Sequence, residues 1–136
     1  MKKLIAVMLT LLMLAACVPV FADDICDAER IGGTRYAALN SVSTSVLKDG
    51  SNVYCAGMAA AKTSGYKLVA TLELQTKPGS TWSTYQSWSK TGYGTTGVSF
   101  EETSYLPVAV QFRTKLTVYV YDSNNDFVEG AIVYSS

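Results

Sequence analysis

An antiparallel β-sandwich of about seven strands is the architecture this sequence predicts, and three observations predict it. Apolar and polar residues alternate with a period of two through most of the chain after residue 36. Clusters of Gly, Pro, Asn, Asp and Ser punctuate these runs at intervals of roughly 8–12 residues. No stretch after residue 33 has apolar residues at helical spacing over a useful length.

The chain opens with a leader. Lys2 and Lys3 precede an uninterrupted apolar run from Leu4 to Leu14. A bilayer span needs about 20 such residues, so this run is too short to cross and reads as an export signal. Two cut sites compete. Leu14-Ala15-Ala16-Cys17 has the residue types of a lipobox, which would leave Cys17 acylated and the protein anchored on the outer face. Val20-Phe21-Ala22 offers compact residues before a cut that would free a secreted protein starting at Asp23. Pro19 breaks the apolar run ahead of the second site and Asp23-Asp24 begins a polar chain, so the residues favour the cut after Ala22. The expected organisation is a signal peptide over 1–22, a tail over 23–35 and one sandwich domain over 36–136.

The strands follow in order. Ser41 to Leu47 is a Ser/Thr/Val run suited to a half-exposed edge. Val53 to Ala61 carries Cys55 among small residues. Tyr66 to Leu74 alternates cleanly: Tyr66, Leu68, Ala70, Leu72 and Leu74 point inward, Lys67, Thr71, Glu73 and Gln75 outward, a division that helical spacing would scramble. Trp82 to Trp88 and Thr95 to Glu101 are shorter strands. Leu106 to Val120 is the longest alternation, with Leu106, Val108, Val110, Phe112, Leu116, Val118 and Val120 on one face and Thr114 the one exception. Phe127 to Tyr134 is last. Between them lie turn sequences such as Lys48-Asp49-Gly50-Ser51, Thr91-Gly92-Tyr93-Gly94 and Asp122-Ser123-Asn124-Asn125-Asp126. Cys26 to Ile31 is expected to make no more than a short turn.

Composition limits function. Lysine plus arginine equals aspartate plus glutamate at 11 each, and losing Lys2 and Lys3 with the leader would leave a net charge of about −2. That balance excludes the dense phosphate neutralisation of a nucleic-acid binder and an electrostatic hold on an anionic membrane. Membrane contact enters only through an acylated Cys17. Cys26 and Cys55 remain as an even pair, and in an oxidising compartment they are expected to form a disulfide, with two free thiols as the alternative. The chain has no histidine, so Ser–His and Cys–His nucleophiles are excluded, and two cysteines alone make a poor zinc site. No cofactor is implied. A carboxylate pair could still act, yet most acids fall in the tail or in turns, and Glu73 and Glu129 fall mid-strand on outward faces. The chain is therefore read as a non-enzyme. Asp122 to Asp126 begins like a calcium loop, but Phe127 replaces the required glycine and Val133 stands at the twelfth position, so a hairpin turn accounts for it.

Aromatic residues are the remaining chemistry. Trp82, Tyr85, Trp88 and Tyr93 crowd into one stretch; alternation puts Trp82 and Trp88 on one face, suited to core packing, and Tyr85 on the other. Tyr119 and Tyr121 share a polar face with Arg113 and Lys115. Tyr85, Trp88, Tyr93, Arg113, Tyr119 and Tyr121 are thus the candidate contacts for a glycan or a surface protein, since tyrosine offers contact area at low entropic cost.

Gly50-Ser-Asn-Val-Tyr-Cys55, Leu72-Glu-Leu-Gln75, Gly79-Ser-Thr-Trp82 running to Ser87-Trp88-Ser89, Phe112-Arg113 with Val118-Tyr-Val-Tyr-Asp122, and the ending Glu129 to Ser135 form a spaced set. Through these the segment from Tyr36 to Ser136 resembles an uncharacterised family of small secreted bacterial domains of the Gram-positive type. The resemblance implies an immunoglobulin-like sandwich behind a signal peptide and carries no activity to transfer. The last turn of that family usually holds Gly where this chain has Asn124-Asn125, and Asn tolerates the left-handed backbone. The expectation is an exported binding module for a cell-wall glycan or surface protein. The alternative is an accessory envelope domain without a specific ligand.

Overall fold

A computed structural model describes residues 28–31 and 36–135. The expected leader with Cys17, and the expected disulfide partner Cys26, lie outside the described residues. Eight strands follow in order: β1 (Ala28–Ile31), β2 (Leu39–Asp49), β3 (Asn52–Ala61), β4 (Lys67–Lys77), β5 (Ser83–Tyr93), β6 (Val98–Tyr105), β7 (Gln111–Tyr121) and β8 (Phe127–Tyr134). They form a five-stranded sheet ordered β1-β8-β7-β4-β5 and a three-stranded sheet ordered β2-β3-β6, and every described pairing is antiparallel.

The sheets pack face to face, as the alternation requires. Leu68, Ala70, Leu72 and Leu74 of β4 and Leu116, Val118 and Val120 of β7 are fully buried, facing Val53, Cys55 and Ala59 of β3 and Phe100 of β6 in one core. Gly57 keeps β3 close: a Cβ there would touch the Leu72 and Leu116 methyls at 3.4–3.5 Å. Thr114, the exception in the β7 pattern, is fully buried and carries a polar bridge between the sheets. Its Oγ1 lies 2.8 Å from Thr44 Oγ1 on β2 and 2.6 Å from Ser135 Oγ. Thr44 in turn donates to the Ala56 carbonyl, and the Thr114 amide donates to Ser135 Oγ. Each buried hydroxyl is satisfied inside the core, which is the condition for burying it.

Several expectations change. Ala28–Ile31 is a strand on the edge of the large sheet, paired with Gly130 to Val133, where at most a turn was expected. Leu106 to Val120 is not one strand: Pro107 lacks the N–H a ladder needs, β7 starts at Gln111, and Val108 is exposed. Thr95 and Thr96 belong to the corner before β6, not to the strand. The asparagine turn forms with Asn125 at φ 64°, and Asp122 Oδ1 accepts from the Asn124 and Asp126 amides. That carboxylate therefore caps its own turn.

Glu129 departs most. Alternation puts it outward, but it is buried. The pairing of β7 with β8 slips between Val120 and Tyr121, so Val128 is the extra residue and Glu129 falls opposite inward-facing Val120. Its carboxylate accepts three successive backbone amides at the start of β2: Ala37 at 2.7 Å, and Ala38 and Leu39 at 2.6 Å each. The side chain thus staples β8 of one sheet to β2 of the other.

Cys55 is a free thiol in the three-stranded sheet's inner face, so the disulfide expected with Cys26 is not part of this structure. Burial, with the nearby Glu102 charge adding to it, pushes the thiol from 9.0 up to about 11. The folded chain then keeps its proton at pH values where the unfolded chain has lost it. Stability should be unaffected below pH 9 and fall as pH rises from about 9 to about 11, and Cys55→Ser should flatten that segment of a denaturation-midpoint profile. An equally steep fall in the variant would assign the loss to other groups.

Candidate functional site

The outer face of the five-stranded sheet gathers one group of exposed aromatic residues, Tyr93, Tyr119 and Phe127, and strand register does the gathering. Lys67 on β4 pairs with Tyr121 on β7 and with Tyr93 on β5, while Tyr121 pairs with Phe127 on β8. Phe127, Tyr121, Lys67 and Tyr93 therefore form one row across four strands, three inter-strand spacings or roughly 14 Å long. Tyr119 stands one pleat further in, on the same face.

The row is open to solvent. Tyr93 is 66% exposed and Phe127 53%, with Tyr119 also exposed and Tyr121 half-buried. Its rings brace one another: the Phe127 centroid lies 6.2 Å from that of Tyr119 and 6.1 Å from that of Tyr121, the latter edge-on. The Lys67 ammonium sits 5.0 Å from the Tyr121 centroid and donates to Asn125 Oδ1 in the β7–β8 turn. The result is a shallow strip of rings with phenol hydroxyls and one cation among them. It offers apolar faces for stacking and polar tips for orientation.

A second ring cluster lies at the opposite end of the same face. Arg113 is clamped between Trp82 and Tyr134, its guanidinium carbon 4.3 Å and 4.2 Å from the two ring centroids, and its Nε donates to Gln75 Oε1 at 2.8 Å. Two ring contacts and the bond to Gln75 commit the Arg113 guanidinium to packing at this end of the face. Between the clusters the face is polar: Glu73 pairs with Lys115 at 3.8 Å and accepts from Thr84, and Thr71 contacts Ser89.

Of the six sequence candidates, the structure brings three together: Tyr93, Tyr119 and Tyr121. Arg113 belongs to the other cluster. Tyr85 and Trp88 turn away from this face. The β4–β5 ladder slips between Leu74 and Gln75, which makes Tyr85 an extra residue. Tyr85 Oη donates to the Tyr105 carbonyl of β6 at 2.7 Å, and Trp88 packs half-buried against the core. The same slip places Trp82 on the outer face over Arg113 and Trp88 on the inner side, correcting the expectation that they share a face. Lys67 and Phe127 were missed as site residues. The signal for them was pairwise: only the register with Tyr121 shows that they stand beside the tyrosines.

No family model matches the chain, and no curated protein matches it. Among solved structures it is similar to chicken MD-1, crystallised in complex with lipid IVa, at 11% identity over 82% of this chain and 97% of that one, with a TM-score of 0.30. A likeness of that size carries no argument about function.

Proposed function

We propose that this protein is an exported bacterial binding module whose outer sheet face stacks on a cell-surface glycan. The observation that supports this reading most is the row Phe127–Tyr121–Lys67–Tyr93, where four strands bring exposed rings and a cation into register. Phe127 keeps a large apolar ring half in water beside two tyrosines, an exposed aromatic cluster of the kind that marks interaction sites. A flat strip suits an extended polymer, whose rings lie along it. Near-neutral charge suits an uncharged ligand. Within this reading the leader is removed after Ala22 and the protein is released outside the cell. Acylation at Cys17 would instead hold it on the outer face.

The sandwich supports an immunoglobulin-like assignment. Counting from β2, the first, second and fifth strands form one sheet and the third, fourth, sixth and seventh the other. The constant-type immunoglobulin order differs only in placing the fourth strand with the first sheet. This order fits the resemblance to small secreted domains of Gram-positive type, in which no enzymatic role is carried.

Pull-down by insoluble cell-wall polysaccharide tests the reading. The wild-type protein should sediment with the polymer, and Tyr93→Ser with Phe127→Ser should weaken retention at least about tenfold, because each stacked ring is worth on the order of 1 kcal/mol. Trp82→Ser, at the other end of the face, should leave retention unchanged. No retention of the wild-type protein by any wall fraction would reject the glycan ligand, and capture of a wall protein instead would move the reading to a protein partner.

A further inference from the structure

The left-handed backbone positions among the described residues are Gly50, Gly65, Gly94, Gly97 and Asn125. Glycine enters that region with no Cβ penalty and is the default residue there. Asn125, at φ 64°, departs from this pattern. Asparagine tolerates the region, but the backbone does not require it.

The turn closes without the Asn125 side chain. Backbone bonds of 2.9 Å run from the Asp122 amide to the Asp126 carbonyl and from the Asn125 amide to the Asp122 carbonyl. The Asp122 carboxylate holds the Asn124 and Asp126 amides. Asn125 Oδ1 reaches out of the turn to β4, where it accepts from the Lys67 ammonium. The same ammonium lies 5.0 Å from the Tyr121 centroid. Lys67 pairs with Tyr121 on one side and Tyr93 on the other, so the turn pins a cation in the middle of the ring row. A lysine left to itself samples many rotamers, and a ligand must order it on binding. The bond to Asn125 does that ordering beforehand. It uses one ammonium donor, and an ammonium has others to offer.

We infer that Asn125 is a positioning residue for the ring row. It fixes the Lys67 ammonium over Tyr121, where the remaining donors meet the hydroxyl oxygens of a sugar stacked on the neighbouring rings. The inference rests on the glycan reading and adds to it the group that orients the sugar. The Asn125–Lys67 bond is exposed, so it contributes little to folding. Function and stability can therefore be separated at this position.

Depletion isotherms on insoluble cell-wall polysaccharide, using the chain as the producing cell processes it, test the role together with a ligand-free NMR measurement. Asn125→Gly suits the left-handed backbone and should melt within about 4 °C of wild type. It should nonetheless bind about three- to tenfold more weakly, because the ligand must now order a long side chain. Asn125→Asp keeps an acceptor and tolerates the same backbone, and should bind like wild type. In a Lys67→Met background, Asn125→Gly should have no further effect, since Asn125 acts through Lys67. Without ligand, the Tyr121 ring should shift the Lys67 ε-methylene protons upfield in wild type and in Asn125→Asp, and Asn125→Gly should lose that shift. An unchanged methylene shift or undiminished binding in Asn125→Gly overturns the positioning role and leaves the glycan reading standing. An additive loss in the Lys67→Met background overturns it as well. A wild-type protein that does not bind the polysaccharide rejects the glycan reading and this inference with it.

Discussion

Glu129→Ala should destabilise the fold by about 3–5 kcal/mol, the range for removing one partner of a buried charged network. Three amides, those of Ala37, Ala38 and Leu39, lose their acceptor at once, and two of these bonds are in the buried interior. The loss is concentrated where β8 meets β2, so the contact between the two sheets opens at that end. Glu129→Gln keeps one oxygen and should cost less, about 1–3 kcal/mol, because its amide group faces donors it cannot satisfy. Glu73→Ala is the matched control. Its carboxylate makes one ion pair of 3.8 Å and one hydroxyl contact on the outer face, and its removal should cost below about 1 kcal/mol. Urea midpoints of the three variants, at unchanged slope, check the ordering. Equal effects of Glu129→Ala and Glu73→Ala would remove the staple from this account.

Gly97→Ala should have an effect of the same order, by another route. The chain leaves the large sheet at Tyr93 and enters the small one at Val98 through a corner in which Gly97 has φ +63°. An alanine in that left-handed region costs roughly 1 kcal/mol by itself. Space is the larger problem. A Cβ on Gly97 would stand 1.9 Å from the Ala59 carbonyl oxygen and 2.8 Å from the Ala60 Cα, and these are backbone atoms of β3 that cannot rotate away. Relief requires β3 and the corner to separate, so a total loss of about 3 kcal/mol or more is expected. Gly50→Ala is the discriminating comparison. Gly50 also has positive φ, at +62°, but nothing lies within 4 Å of its Cβ position, so only the backbone term applies. Thermal melts should place Gly97→Ala well below Gly50→Ala. Coincident melts would mean that the corner yields without strain.

These two positions mark where the sequence stopped being legible. The inward sets of β4 and β7 could be read because alternation runs unbroken through Leu68 to Leu74 and Val110 to Val120, with Thr114 the one polar residue among them. Glu129 could not, because parity assumes an unbroken ladder and the extra residue Val128 reverses it. The slip beside Tyr85 reversed parity a second time and separated Trp82 from Trp88. Gly97 was not legible, because alternation placed it inside the expected strand Thr95 to Glu101 and its tight approach is to β3, some 38 residues away in the chain. The aromatic row was half legible. Tyr119 and Tyr121 followed from alternation along β7, but their neighbours Lys67, Tyr93 and Phe127 come from three other strands, and local pattern says nothing about which strand lies beside which.

The two sheets have different outer faces. One presents Tyr93, Tyr119 and Phe127 with Lys67 at one end, and the other presents Leu47, Tyr54, Met58 and Tyr105 among smaller residues.

Backbone amide chemical shifts during titration with soluble cell-wall oligosaccharide test the central claim most directly. The account predicts perturbations concentrated at Lys67, Tyr93, Tyr119, Tyr121 and Phe127, with Trp82, Arg113 and Tyr134 unmoved although they lie on the same face. Saturable shifts centred anywhere else, or no shift at any amide, would contradict it.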